Sequence, residues 1–235
     1  MAVILGNRPI VDGIFELTLS GLPVGKPGQF VQVHLPEESM LLPRPISLFD
    51  ADAATGETRL VYRVAGRGTR LLSTLQTGTL RVTGPLGNGF PTEHGDAVLI
   101  GGGLGIAPLH LLCRTLRRMD AMRRITVYLG FSDQMFLTEA FADADEVITD
   151  VGGYVTDKID FSVPARYYAC GPDPMMHAAT GKARAAGAAL YVSLERRMAC
   201  GVGACYACSV ATSAGNRRVC KDGPVFKAEE VYYEV

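Results

Sequence analysis

The apolar pattern of this chain changes character once, near residue 94, and that change limits what it can fold into. Before it, apolar residues recur with a period of two over short stretches. "FVQVHL" (30–35) sets Val31, Val33 and Leu35 against Gln32 and His34, the pattern of a strand with one buried face. "TRLVYRV" (58–64) sets Leu60, Tyr62 and Val64 against Arg59 and Arg63, and "IFELTLS" (14–20) and "TLRVT" (79–83) are shorter strands of the same kind. The stretches "GLPVGKPG", "DADAATGE", "AGRGT" and "GPLGNGFP" between them are turn formers. Short strands at this spacing, with no helical period, predict an antiparallel β-barrel.

Beyond residue 94 strands alternate with helices. "DAVLI" (96–100) is followed by "GGGLGIAP" and by "LHLLCRTLRRM", where Leu109, Leu112, Cys113 and Leu116 fall at i, i+3, i+4 and i+7. Strands are expected over 124–130, 145–149, 166–170 and 189–194, and a helix over 174–187. That alternation predicts a doubly wound parallel α/β sheet. The chain therefore reads as α+β and multi-domain, with a barrel over 1–93, a central α/β unit over 94–194 and a small glycine-rich unit over 195–235. A length of 235 residues is enough for such an arrangement.

The net charge of −1 supplies no field for nucleic acid or anionic lipid. The apolar run that opens the chain ends at Gly6, Asn7 and Arg8, too short for a membrane span, and no basic segment precedes it. A cytoplasmic setting follows as the expectation, and thiols there stay reduced.

That matters for the tail, which holds four of the six cysteines: Cys200, Cys205, Cys208 and Cys220, spaced C-x4-C-x2-C-x11-C. A structural zinc site usually uses two C-x2-C pairs, and only Cys205 and Cys208 make one. The C-x4-C-x2-C run matches the plant-type [2Fe–2S] pattern, in which one loop supplies three thiolates. Gly201, Gly203, Ala204 and Ala207 give that loop the small side chains it needs for N–H groups to point at sulfur. The last interval is shorter than in plant ferredoxins, and zinc stays open on that ground.

"LIGGGLGIAPLHLL" is a strand, a glycine turn and a helix, an arrangement suited to a nucleotide pyrophosphate. The dinucleotide fingerprint fails there, because Pro108 stands where the third glycine belongs. No acid for an adenosine ribose stands out, with Asp133 after the next strand as a candidate. His34, His94, His110 and His177 are scattered, and no nucleophile–base pair is legible, so no catalytic residue is assigned.

Three segments resemble motifs of the ferredoxin reductase superfamily: "RPIS" (44–47) its flavin motif, "GGGLGIAP" its nicotinamide-nucleotide loop, and "CGPDPMM" (170–176) the segment beside the nicotinamide. The tail "SLERRMACGVGACYACS…RRVCKDGPVFKAEEV" resembles the C-terminus of the electron-transfer subunit of NAD-dependent, B-type dihydroorotate dehydrogenase. The resemblance implies FAD, one [2Fe–2S] cluster and NAD, and a partner subunit containing FMN, assembled as a heterotetramer of two of each. Electrons from dihydroorotate would reach NAD⁺ by way of FMN, cluster and FAD, in pyrimidine biosynthesis. It further implies that Arg44, Pro45, Ile46 and Ser47 bind flavin, with Val61, Tyr62 and Arg63 on a second strand and Gly68 and Thr69 at the pyrophosphate. Ile46 replaces the aromatic residue that many reductases stack on the flavin ring. Gly101, Gly102, Gly103, Gly105 and Pro108, with Cys170, Gly171 and Pro172, would serve the nicotinamide nucleotide, and the four tail cysteines the cluster. A sulfide dehydrogenase or NADP-dependent ferredoxin reductase subunit on the same scaffold, or a zinc-stabilised regulatory module, are the alternatives.

Overall fold

The computed structural model describes residues 1–36 and 40–234. Six antiparallel strands close a barrel: β1 (Ala2–Val11), β2 (Ile14–Ser20), β3 (Phe30–His34), β4 (Arg44–Asp52), β5 (Glu57–Arg63) and β6 (Thr79–Leu86), in the order β1-β2-β5-β4-β3-β6. Asp12 and Gly13 form the two-residue turn between β1 and β2, with Gly13 at φ +70 and Val11 paired to Ile14. An Asp-Gly pair is the turn such a tight hairpin favours. Leu17, Leu19, Val31, Val33, Leu48 and Leu60 fill the barrel.

A short helix, α1 (Arg67–Thr74), closes one end of the barrel with Leu72 fully buried. The buried Asn7 amide donates to the carbonyls of Leu72 (2.7 Å) and Leu75 (2.9 Å), satisfying backbone acceptors at the end of that helix. The apolar run that opens the chain ends at Gly6, Asn7 and Arg8, but the strand does not. Strand β1 carries on to Val11, with a register shift between Ile4 and Gly6.

The second unit is a six-stranded sheet: β7 (Ala97–Gly102), β8 (Ile125–Phe131), β9 (Glu146–Val151), β10 (Arg166–Cys170) and β11 (Leu190–Ser193), all parallel. The sixth strand, β14 (Val225–Lys227), comes from the tail and runs antiparallel to β11. Helices α2 (Ala107–Met119) and α3 (Asp173–Ala185) cover the sheet. The predicted stripe of Leu109, Leu112, Cys113 and Leu116 is fully buried. His110 and Leu111 on α2 are buried too, with Leu111 in the barrel's core cluster, so this helix is buried beyond the stripe.

The strand order β9-β8-β7-β10-β11 reverses between β7 and β10. Ligands of open α/β sheets bind outside the carboxyl ends of the strands at such a point. Gly101 and Cys170 are register partners there, which brings the glycine turn and the "CGP" segment together.

The tail forms a hairpin, β12 (Ser209–Thr212) and β13 (Gly215–Arg218), then β14 and a last helical turn, α4 (Ala228–Val231). Its Cys208, Val219, Cys220 and Phe226 share one core cluster with Phe30 of the barrel and Val192 of the sheet. Strand β3 is therefore covered on both faces, not the single face its alternation predicts. Val31 and Val33 point into the barrel while Phe30 and Gln32 meet the tail.

Candidate functional site

A cleft of about 1190 Å³ opens between the barrel and the second unit. Arg44, Pro45, Ile46 and Ser47 of β4 line it, as do Val61, Tyr62 and Arg63 of β5, Thr69 of α1 and Pro108 of α2. One cavity thus gathers nine of the residues assigned above to flavin or nucleotide.

Gly68 sits under the Arg44 guanidinium, where a Cβ would come within 2.5 Å of Cζ. The Arg44 fork donates to the Leu42 carbonyl and to Met40 Sδ, and it lies beside the N-terminal turn of α1. A guanidinium beside the N-terminal turn of a helix suits a diphosphate. The Thr69 hydroxyl accepts from the N–H groups of Ala65 (2.9 Å) and Gly66 (3.2 Å), so it holds the entry to the helix in shape. Ile46 and Val61 are buried apolar walls. Tyr62 offers the cleft no free hydroxyl, because its O–H donates to Asn7 Oδ1 at 2.9 Å inside the barrel. Burial pushes that phenol up to about 12.

At the carboxyl edge of the sheet, Gly103 (φ +53) opens a single 3₁₀ turn, Gly103–Ile106. Gly105 packs on the backbone of the "CGP" segment, where a Cβ would stand 2.5 Å from the Gly171 nitrogen. Gly102 is pressed in turn by Met175 and Pro172. Burial drives the Cys170 thiol well above the usual range, with a smaller push from Glu195. Asp133 follows β8 with an exposed carboxylate; the Gln134 N–H and the Ser132 hydroxyl donate to it and hold its pKa down.

The four tail cysteines lie in one segment as two pairs. The Cys205 N–H donates to Cys200 Sγ and the Cys220 N–H to Cys208 Sγ, both at 3.4 Å. N–H groups of Val202, Cys205 and Ala204 hold the Cys200 thiol down to about 6. Burial, with Cys208 beside it, pushes Cys220 up to about 12. Gly201 (φ +69) and Gly203 (φ +84) turn the loop so that these donors face sulfur. The Arg218 guanidinium braces it, pairing with Asp222 at 3.0 Å, donating to the Gly203 carbonyl at 3.1 Å and lying over the Tyr206 ring at 5.1 Å. All six cysteines are free, and among the described residues no three His, Cys, Asp or Glu side chains are drawn into a metal-holding group. Four cysteines in one glycine-turned segment are the ligand set of a [2Fe–2S] cluster, and backbone N–H groups aimed at two of the sulfurs are the supporting contacts such a cluster uses, so the residues fit that group.

Sequence reasoning passed over part of the cleft wall: Leu104, Leu194, Glu195, Arg196, Arg197 and Met198. Desolvation, with Asp173 nearby, lifts the Glu195 carboxyl above its ordinary range even though it opens on the cleft. Arg196 pairs with Asp173 at 3.1 Å. The available signal was position, since whatever follows β11 stands at the carboxyl edge of the sheet.

A family model described as the iron–sulfur cluster binding domain of dihydroorotate dehydrogenase B matches residues 195–232. The electron transfer subunit of dihydroorotate dehydrogenase B (NAD(+)) from Bacillus caldolyticus is 41% identical over 254 aligned residues, covering 97% of this chain and 96% of that protein. The subunit of the same name from Clostridium acetobutylicum is 35% identical, with 96% and 94% covered. Among solved structures, an NADH-dependent reduced ferredoxin-NADP oxidoreductase studied for flavin-based electron bifurcation aligns with a TM-score of 0.88 and 32% identity, covering 100% of this chain and 90% of that one. A ferredoxin NADP⁺ reductase from Neisseria gonorrhoeae shares the fold, with a TM-score of 0.66 at 16% identity over 84% and 94% of the two chains. With identity of this extent running through barrel, sheet and cysteine tail alike, the chain belongs to the family of dihydroorotate dehydrogenase B electron transfer subunits.

Proposed function

We propose that this chain relays electrons from a partner dihydroorotate dehydrogenase subunit to NAD⁺, with FAD in the cleft, a [2Fe–2S] cluster on Cys200, Cys205, Cys208 and Cys220, and NAD at the carboxyl edge of the sheet. The observation that carries this reading is the contact between β3, a neighbour of the cleft strand β4, and the cysteine loop, with the Gln32 amide 3.1 Å from the Ala199 carbonyl. The segments 1–93, 94–194 and 195–235 then serve flavin, nucleotide and cluster. FAD supplies the exchange between the two-electron chemistry of nicotinamide and the one-electron chemistry of the cluster.

The chain's own residues do the holding. Arg44 and the first turn of α1 balance the diphosphate charge, and Gly68 leaves room for the guanidinium to approach. Ile46 and Val61, buried apolar side chains of the cleft wall, would keep water from the flavin, and Ser47 would offer it a hydroxyl. Gly103, with open space on its Cβ side, would let a second nucleotide approach the backbone. Gly101, Gly102 and Gly105 let the turn pack closely on Ile106 and the "CGP" segment. Pro108 follows in the first turn of α2, and Cys170, Gly171 and Pro172 would flank the nucleotide. The dihydroorotate chemistry itself belongs to an FMN-containing partner, in an assembly of two copies of each chain. Cytoplasmic placement suits reduced thiols, and among the described residues no helix is long and apolar enough to cross a membrane.

The test is purification from the native source with its partner. The expected product is yellow-brown, carries flavin and iron, and reduces NAD⁺ when given dihydroorotate. A colourless protein with stoichiometric zinc overturns the proposal. The likeness to the ferredoxin-NADP oxidoreductase favours, as second reading, a different electron donor, which the identity of the co-purified chain decides.

A further inference from the structure

We infer that Gln32 is a positioning residue that sets the distance between the cysteine loop and the flavin-facing wall of the barrel. The inference rests on the loop being the cluster site and adds to it the part that holds the loop in place.

Gln32 occupies a polar position in the alternation of β3, where solvent exposure is the ordinary outcome. It is instead 2% exposed. Its neighbours across the sheet are Pro45, inside the motif that lines the cleft, and Thr83 of β6. From that fixed base Nε2 donates to the Ala199 carbonyl at 3.1 Å, across 167 residues of sequence. Ala199 immediately precedes Cys200, the thiol that receives the N–H group of Cys205.

The far side of the contact is shaped to receive the amide. A Cβ on Gly201 would lie 2.5 Å from Gln32 Nε2 and 2.6 Å from Oε1. Gly201 also has φ +69, which glycine adopts without cost, so this residue provides both the turn and the space. A buried amide is costly to leave without a partner, so the loop is held to the carbonyl that Gln32 reaches. The side chain thus bridges Pro45's strand and the peptide leading into Cys200, a short covalent and hydrogen-bonded link between the two cofactor sites.

Two variants test this in the loaded protein. Gln32→Met keeps length and burial but removes the donor, and Gln32→Asn keeps the amide but withdraws it by one methylene. NADH is the reductant. Each NADH delivers two electrons and one proton to the flavin, of which one electron can pass on to the cluster. Flavin bleaching and the paramagnetic signal of the reduced cluster are followed in the same mixture, with amide hydrogen exchange over 199–203 as a separate readout. Flavin reduction and iron content are expected at the unmodified level in both variants. Cluster reduction is expected to slow, and loop exchange to quicken, by up to about tenfold, the population shift one neutral hydrogen bond can produce. Unchanged cluster reduction in both variants overturns the inference, whatever the exchange shows. Loss of iron from both with the flavin intact also overturns it, since Gln32 would then serve assembly of the site and not its placement. Absence of the paramagnetic signal from the unmodified protein strikes the cluster reading itself and is told apart by that control.

Discussion

The His110 ring of α2 stacks on Phe49 of β4, with ring centroids 4.1 Å apart and planes inclined by 15°. Its Nδ1 lies 3.0 Å from the Phe49 carbonyl, an acceptor, so Nδ1 carries the proton. This joint fastens the sheet unit to the barrel beside the cleft, and Arg114 of α2 pairs with Asp50 one residue further along β4.

Burial lowers the His110 pKa from 6.5, followed by opposing effects of the Phe49 carbonyl and Asp50, which raise it, and of Arg59 and Arg114, which lower it. The unfolded chain therefore binds a proton that the folded one refuses. The joint's contribution is full above pH 6.5 and falls away below it, toward the folded-state value. Thermal unfolding should show a loss of stability as pH drops below 6.5 that is absent from His110→Phe. An equal pH slope in both proteins would remove His110 as its source.

Cys205→Ser should bleach the iron–sulfur absorption and stop electron flow from the partner, since Cys205 is the exposed member of the thiol set. NADH should still reduce the flavin, because the cleft residues are untouched. Stopped-flow absorbance separates the two. Loss of flavin reduction as well would mean that the cluster does not lie beyond the flavin in the relay, or that the substitution disturbs the fold.

Arg44→Ala should weaken FAD binding by roughly ten- to a hundredfold, the scale of one hydrogen bond to a charged group. Gly68→Ala should produce a similar loss without removing the charge, because its Cβ would press on the guanidinium. Flavin release on dilution measures both. If only Arg44→Ala releases flavin, the close approach at Gly68 is not what sets the guanidinium.

Gly105→Ala places a methyl against the Gly171 backbone, and backbone cannot rotate away as a side chain does. Overpacking of this kind costs about 1–3 kcal/mol. The strain falls at the sheet's carboxyl edge, so the Michaelis constant for NADH should rise while FAD content is unchanged. Steady-state kinetics with an artificial electron acceptor reads this directly.

How much of this was legible follows from how local each cause is. The α2 stripe is local, and all four of its residues are buried as the period requires. Helix α1 is not. It begins in the glycine-rich "AGRGT", which reads as a turn, and depends on burial of Leu72 and on Asn7 reaching its terminal carbonyls from 65 residues away. Strand β14 has three residues, too few to show any period. Gln32 carried a misleading signal, since a polar residue at an alternating position looks solvent-facing until a distant segment folds over it. In the cleft, "RPIS" and the β5 residues were legible through resemblance, whereas Glu195 and Arg196 depended on knowing where β11 ends in space.

Glu195 is the last of these and has its own test. Desolvation first, and then the like charge of Asp173, raise its pKa above 4.5. A carboxyl with a raised folded-state value adds stability below its unfolded value and loses that stability as pH rises through the folded one. At neutral pH the wild-type protein therefore carries an ionised group that its surroundings disfavour. Glu195→Gln keeps the shape and removes the charge. Glu195 is solvent-exposed, so screening keeps the effect small: the variant should melt slightly higher than wild type at pH 7, and the gap should close as the pH is brought below 4.5. In flavin reduction by NADH, a pH step lying above 4.5 in the wild type should vanish in the variant. A gap in melting temperature that persists at low pH would assign the gain to new hydrogen bonding by the amide and not to removal of the disfavoured charge.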